Sequence, residues 1–221
     1  MDELLNLTPD MIAYEDDFFL IIDKPPGMLV HPTTYEEWNS GDDLVQRYYK
    51  ARGLEFTLHP ISRLDRNTSG LVTFAKEPII QTWMAKRQVV KEYLGLVHGV
   101  PAEKFGIIEA PIARTTESII TRCVDFERGK YANTAYKVLS SRKNISLVKF
   151  RLFTGRTHQI RVHMAYIGYP LYNDNLYGTP GPQARHALHA YRLAFKHPVS
   201  DNEIEITRNL AKDLQKVYDI L

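Results

Sequence analysis

His59-Pro60-Ile61-Ser62-Arg63-Leu64-Asp65-Arg66-Asn67-Thr68-Ser69-Gly70 leads directly into the apolar run Leu71-Val72-Thr73-Phe74-Ala75. The first part is polar and rich in turn formers, and the second reads as a strand. Asp65 sits between Arg63 and Arg66, and a carboxylate flanked by cations is favoured in its charged form. Thr68, Ser69 and Gly70 suit a tight turn, where glycine takes φ > 0 without a steric cost. Read alone, the stretch is a surface hairpin with an Arg–Asp pair, or a carboxylate set up for chemistry. The rest of the chain decides between them.

Upstream, Phe18-Phe19-Leu20-Ile21-Ile22 reads as a buried strand, ended by Asp23-Lys24-Pro25-Pro26-Gly27, and Met28–Pro32 as another extended piece. From about Asp42 to Arg52 the pattern is helical, with Leu44, Val45, Tyr48 and Tyr49 on one side and Gly53 as the stop. Downstream, Pro78 opens a helix that carries Ile79, Ile80, Trp83 and Met84. Lys91–Gly99 reads as a strand, as do parts of 105–125 and 131–154. The clearest are Thr134–Leu139 and Ile145–Phe153, joined by a Ser140–Asn144 turn. Thr154-Gly155-Arg156 breaks the pattern before a helix from Thr157 to Ile167, with Ile160, Met164 and Ile167 on one apolar face and Gly168 as its stop. Ala187–Lys196 is a late strand, and Arg208–Leu221 an amphipathic helix through Leu210, Leu214, Val217 and Leu221. Strands in hairpins with a few interspersed helices predict an α+β fold around a largely antiparallel mixed sheet with flanking helices and loops. No repeat or linker marks a boundary, so residues 1–221 are expected to form one domain.

The chain has 221 residues, a formal charge of +2 and ordinary apolar and charged fractions. Its one cysteine, Cys123, excludes an internal disulfide and fits a reducing compartment. The start, Met1-Asp2-Glu3-Leu4-Leu5-Asn6, lacks the basic residues and long apolar core of a signal peptide, and no apolar run approaches a membrane span. A soluble cytoplasmic protein with no membrane partner is expected. Charge is unevenly spread. Residues 1–17 hold six acids and no Lys or Arg, whereas residues 142–163 hold six bases (Arg142, Lys143, Lys149, Arg151, Arg156, Arg161) and no acid. Such a run is either a phosphate-binding face or a solvated one whose counter-charges come from elsewhere.

There is no Walker-type or dinucleotide-type glycine loop, no paired-cysteine pattern and no Gly-x-Ser-x-Gly. His158 and His163 are five residues apart, which turns them from a shared helical face, so no metal site is predicted.

Three segments carry a resemblance. They are Arg63–Gly70, Lys91-Glu92-Tyr93, and Gly155-Arg156-Thr157-His158-Gln159-Ile160-Arg161-Val162-His163-Met164 continuing to Gly168-Tyr169-Pro170 and Leu176-Tyr177-Gly178. With Asp17–Pro32 and the Leu188–Pro198 segment, in this order and spacing, the chain resembles the RluA-type family of pseudouridine synthases over about residues 14 to 198. The resemblance implies that family's catalytic-domain fold, in a compact form without an N-terminal RNA-binding extension. It also implies an isomerase that converts uridine to pseudouridine within ribosomal or transfer RNA, and no cofactor.

By the same resemblance, Asp65 is the catalytic carboxylate, Arg156 the arginine that pairs with it, and Tyr93 the tyrosine that stacks on the target uracil. Arg63 enters the space left by a flipped nucleotide, and Ile160 packs beside the uracil. Lys24, Arg66, Lys91 and Arg161 are expected phosphate contacts. A carboxylate can attack the anomeric carbon or remove the ribose 2′ proton, and sequence leaves both routes open. Ser62, Asn67, Asn173 and Asn175 depart from the usual His, Asp, Gly and Pro, which bears on loop geometry and RNA choice. The partner is then an RNA stem-loop bound by a monomer. The rival reading is a non-catalytic RNA-binding or RNA-chaperone protein of the same fold.

Overall fold

The computed structural model describes residues 6–32, 40–54, 57–181 and 185–220. A 3₁₀ turn at Pro9–Met11 is followed by β1 (Ile12–Glu15), β2 (Phe19–Lys24), α1 (Gly41–Lys50), β3 (His59–Pro60), β4 (Ser69–Ala75) and α2 (Pro78–Ala85). Then come β5 (Val89–His98), β6 (Phe105–Glu109), β7 (Ile112–Arg114), β8 (Arg122–Val124), β9 (Asn133–Arg142) and β10 (Ile145–Leu152). The chain ends with α3 (Gln159–Tyr166), β11 (Leu188–Lys196), β12 (Glu203–Thr207) and α4 (Lys212–Ile220). This is the α+β, largely antiparallel architecture that the pattern predicts. The chain divides into two compact units, Met1–Val89 with Arg192–Arg208, and Val90–Tyr191 with Asn209–Leu221.

In the first unit β4 is buried along its whole length because it is covered on both faces. Leu71 and Ala75 pack with Phe19, Ile21, Ile80 and Met84, whereas Val72 and Phe74 pack with Leu20, Ile22, Val45 and Tyr49. Helices α2 and α1 thereby cover opposite faces. Strand β2 runs antiparallel to β4 from Phe19↔Ala75 to Lys24↔Gly70, and Gly70 takes φ +110°, a conformation open to glycine alone at low cost. Removing the Phe74 side chain, which is fully buried, would cost about 3–5 kcal/mol. Ser40 caps α1 by accepting from the Asp43 amide at 3.1 Å, and Gly53 follows the helix at φ +71°.

In the second unit β6, β9, β10 and β5 lie side by side, each antiparallel to the next. The predicted Ser140–Asn144 turn narrows to Lys143-Asn144, both at positive φ, the geometry of a two-residue hairpin turn that matches strand twist. Helix α4 sets Leu214 and Val217 against Leu96, Ile145 and Ala187. Gly95 is required by close approach, since a Cβ there would meet the Ala187 carbonyl oxygen at 2.8 Å.

Some boundaries differ. Helix α3 starts two residues late because His158 holds φ +58°, and residues 159–164 are all buried, so the expected single apolar face is replaced by burial all round. Helix α4 begins at Lys212, not Arg208, and Leu221 lies outside the described residues, as do Met1–Leu5. Met28–Pro32 joins no strand. Strand β12, paired to β11 from Arg192↔Thr207 to Lys196↔Glu203, was not anticipated.

Candidate active site

The Asp65 loop belongs to the first unit. The Asp65 carbonyl accepts from the Thr68 amide at 3.0 Å, which makes the turn that delivers Ser69 to β4. Arg63 and Arg66 are exposed and Asp65 is half-buried. What anchors the loop is Lys24, at the end of β2 and 1 % exposed. Its ammonium donates to the carbonyls of Pro25 (2.9 Å), Met28 (2.8 Å) and Arg66 (3.0 Å), a full set for three N–H donors. The Arg66 carbonyl also accepts from the Gly27 amide at 3.0 Å. The buried cation therefore ties the Pro25–Met28 turn to the residue after Asp65. The expectation that Lys24 contacts phosphate gives way to this role, because its charge is spent inside the fold.

The Arg156 loop belongs to the second unit, and its backbone is held by neutral groups. Gln159, 3 % exposed at the start of α3, accepts from the Arg156 amide at 2.9 Å and from the Thr154 hydroxyl at 2.8 Å. Its amide nitrogen donates to the Asn133 carbonyl (3.0 Å) and the Thr134 hydroxyl (2.9 Å). Thr134 in turn meets His163 Nδ1 at 2.9 Å, and His163 Nε2 meets the Ala110 carbonyl at 2.9 Å. A carbonyl only accepts, so His163 Nε2 carries the proton and Nδ1 receives the Thr134 hydroxyl, which fixes the direction of every bond back to Arg156. Burial lowers the pKa of His163 and keeps it neutral. The Arg156 guanidinium is exposed, and its Nε donates to the Tyr131 carbonyl at 2.9 Å.

The far side of α3 carries the second support. Arg161 and Asp174 form a buried two-pronged pair, Nε–Oδ2 and Nη2–Oδ1 both at 2.8 Å. Burial alone would raise the Asp174 pKa, but the hydrogen bonds and charge of Arg161 hold it below the usual carboxylate range. Arg161 is 5 % exposed, so it too is a scaffold cation where a phosphate contact was expected. Asp174 also accepts from the amides of Leu176 and Tyr177, and the Tyr177 hydroxyl meets His158 Nδ1 at 2.6 Å. The Leu176-Tyr177-Gly178 motif is thus bonded to the Arg156 helix. Asn173, where glycine is usual in the resembled family, takes φ +58°, a left-handed conformation that Asn tolerates better than most residues.

Of the remaining expected residues, Tyr93 on β5 is buried and pairs in register with Phe150, Lys91 is half-buried with its pKa lowered by burial, and Ile160 is buried in α3. In the first unit the structure brings together Lys24, Arg66 and the Asp65 turn. In the second it places Arg156 and Ile160 on one loop–helix junction, with Tyr93 and Lys91 on a strand. Gln159, Thr134, His163 and Asp174 were not singled out as functional by the sequence. Gln159 and His163 lie within a quoted motif, but their partner Thr134 is more than twenty residues away and gives no local signal. An open cavity of about 430 Å³ lies elsewhere, lined by Arg122, Cys123, Val124, Phe126, Val162, Ala165, Tyr166 and Tyr177, and includes none of the expected site residues.

Residues 18–166 match the family described as RNA pseudouridylate synthase, a span that includes both loops. The chain belongs to the RNA pseudouridylate synthase family. It is an isomerase acting on RNA, of the RluA type. It is 36% identical over 219 residues to the RNA pseudouridine synthase YjbO of Bacillus subtilis, covering 97% of this chain and 77% of that one. It is 34% identical over 233 residues to ribosomal large subunit pseudouridine synthase D of Zymomonas mobilis, covering 96% and 73%. The fold matches that of human RNA pseudouridylate synthase domain containing 4, with a TM-score of 0.74 at 23% identity over 92% of this chain and 90% of that one. Among the described residues no helix is long and apolar enough to cross a membrane.

Proposed function

We propose that this pseudouridine synthase acts on ribosomal or transfer RNA stem-loops as a cytoplasmic monomer, with residues 1–221 as one catalytic domain and Asp65 as the catalytic carboxylate. The observation that carries this reading is that the family match, residues 18–166, spans Asp65, Tyr93 and Arg156 together. The name of the Zymomonas relative, a ribosomal large subunit enzyme, supports a ribosomal substrate.

In the reaction the bond from the anomeric carbon to uracil nitrogen 1 breaks, and a bond from that carbon to carbon 5 forms. The hydrogen on carbon 5 leaves as a proton, while nitrogen 1 gains one. Asp65 starts this by attacking the anomeric carbon or by removing the 2′ proton, two routes that the same carboxylate serves. Tyr93 supplies a flat face for the uracil and a hydroxyl for the proton at carbon 5. Arg156 is the cation that pairs with the carboxylate. Arg63 fills the gap left when the target nucleotide leaves its stack, a step that a base in structured RNA requires. Arg66 and Lys91 remain as phosphate contacts, whereas Lys24 and Arg161 hold the loops. Ile160 lines the uracil pocket.

The test is release of tritium from carbon-5-labelled uridine in total ribosomal and transfer RNA, without added cofactor. Wild type is expected to release it, and mapping pseudouridines in cells with and without the protein then names the site. No release from any cellular RNA would sink the reading in favour of a binding-only protein.

A further inference from the structure

The basic run at 142–163 does not form one face. Arg161 is consumed by Asp174, Arg156 stands on its loop, and Arg142 packs over the Tyr218 ring at 5.8 Å. Lys143 donates to the Ile220 carbonyl at 3.2 Å. Lys149 and Arg151 are left, two residues apart on β10 and so on the same side of the sheet. The register extends their rows across the second unit. Lys149 stands opposite Lys137 on β9, which stands opposite Phe105 on β6, and Arg151 stands opposite Ala135, which stands opposite Ile107. Thr134, on the alternate side of β9, faces α3 through His163, so these rows occupy the face turned away from α3.

Helix α4 covers the Ile145–Leu147 end of this face, and beyond it the face is exposed and its composition is unusual. Phe105 and Ile107 are 76% and 65% exposed, and Phe153, which continues the same side of β10, is 53% exposed. The Arg151 guanidinium lies over the Phe153 ring at 5.3 Å. The acids on the face are engaged: Glu92 is buried, 3.9 Å from Lys149 and bonded to the Tyr191 hydroxyl, and Glu109 accepts from Asn133 and Tyr131. Cations interleaved with solvent-facing aromatic rings on an open sheet are the arrangement that tracks phosphates and stacks unpaired bases. An apolar protein partner would not call for three cations among its contacts. From Phe153 the chain runs through Thr154 and Gly155 into Arg156, so a strand lying here reaches the Arg156 loop at the end of β10, while Tyr93, opposite Phe150, is on the other side of the sheet.

We propose that this face, through Phe105, Phe153, Lys137, Lys149 and Arg151, binds a single-stranded stretch of the substrate RNA that flanks the target uridine. The proposal rests on the pseudouridine synthase reading and extends it by a second RNA contact. It sets substrate affinity and leaves the chemical step alone.

The test measures binding of the full chain to oligouridine and to a blunt RNA duplex, together with turnover on labelled RNA. Replacing Lys137, Lys149 and Arg151 by Ala weakens oligouridine binding at least about 10-fold and flattens its salt dependence by roughly two units of log–log slope. Phe105→Ala and Phe153→Ala each weaken it about 5- to 10-fold. In both sets KM rises, kcat at saturating RNA stays at the wild-type value, and duplex binding changes less. Cross-links from 4-thiouridine in the oligonucleotide fall on β6 and β10 peptides of wild type, which needs no variant to fold. Asp65→Asn binds as wild type does. Because binding is read without turnover, failure of the isomerase reading would show as binding without tritium release and is distinct from failure of this one. Wild-type affinity in the variants, cross-links confined to other peptides, or a change of oligomeric state in place of RNA affinity would each overturn the proposal.

Discussion

The Asp65 loop and the Arg156 loop are both fixed by a buried polar group behind them, but by opposite means. Behind Asp65 stands one lysine ammonium on three carbonyls. Behind Arg156 stands a neutral chain, Gln159–Thr134–His163, in which each bond fixes the direction of the next. The charged tether is compact: a single side chain joins two turns, and each charge-assisted bond is stronger than a neutral one. The neutral chain is spread over α3 and β9 and depends on every member keeping its protonation state. Both hold from inside the backbone of a loop that carries a proposed site residue.

The comparison can be broken first on the Arg156 side. Asp174→Ala leaves the Arg161 charge buried without its partner, and removal of one member of such a pair costs about 3–5 kcal/mol. Urea denaturation should show a loss of that size, with the second unit's amides losing exchange protection. Lys24→Met keeps the volume of the stem but strands three carbonyls, for a loss of about 2–3 kcal/mol. Its signature is faster hydrogen exchange in Gly27 and the Asp65–Thr68 turn, with kcat falling while the second unit stays protected. Gln159→Leu is smaller, about 1–3 kcal/mol, because it leaves only neutral groups unpaired. It should lower kcat more than it raises KM, since Arg156 is misplaced but RNA contacts remain.

Acid sharpens the contrast. His163, His186 and His189 all lie in the second unit with pKa values lowered by burial, the latter two to about 3 and about 4. A histidine whose folded pKa is depressed binds protons more readily when unfolded, so its contribution is complete above about pH 6.5 and is lost as pH falls toward the folded value. The lowered Asp174 adds a loss in the same direction at still lower pH. Stability and protection of the second unit should therefore decline from pH 6.5 to 4, by on the order of 3 kcal/mol for His189 alone. An ammonium has no proton to gain, so the Lys24 tether should hold through the same range. Exchange measured segment by segment across that range checks both.

These two supports also mark the limit of what the sequence disclosed. Strands β2, β4, β5, β9, β10 and β11, helices α1 and α2 and the α+β class follow from apolar runs and from Gly and Pro punctuation, which are local signals, whereas β1 and β3 were not anticipated. The motifs around Asp65, Tyr93 and Arg156 were legible as a resemblance. Lys24 and Arg161 were read as solvent-facing because a carbonyl acceptor has no sequence signature and Asp174 lies thirteen residues beyond Arg161. The αL turn at His158 was hidden because a lone histidine is only a weak signal of positive φ, and it moved the start of α3. Strand β12 is short and mostly exposed, so its apolar pattern is weak.

The most direct measurement is tritium release from carbon-5-labelled RNA by wild type and Asp65→Asn, with RNA binding measured in parallel. The account predicts release by wild type, a fall of at least about 100-fold in the variant, and equal RNA affinity in the two. Undiminished release by Asp65→Asn would contradict it.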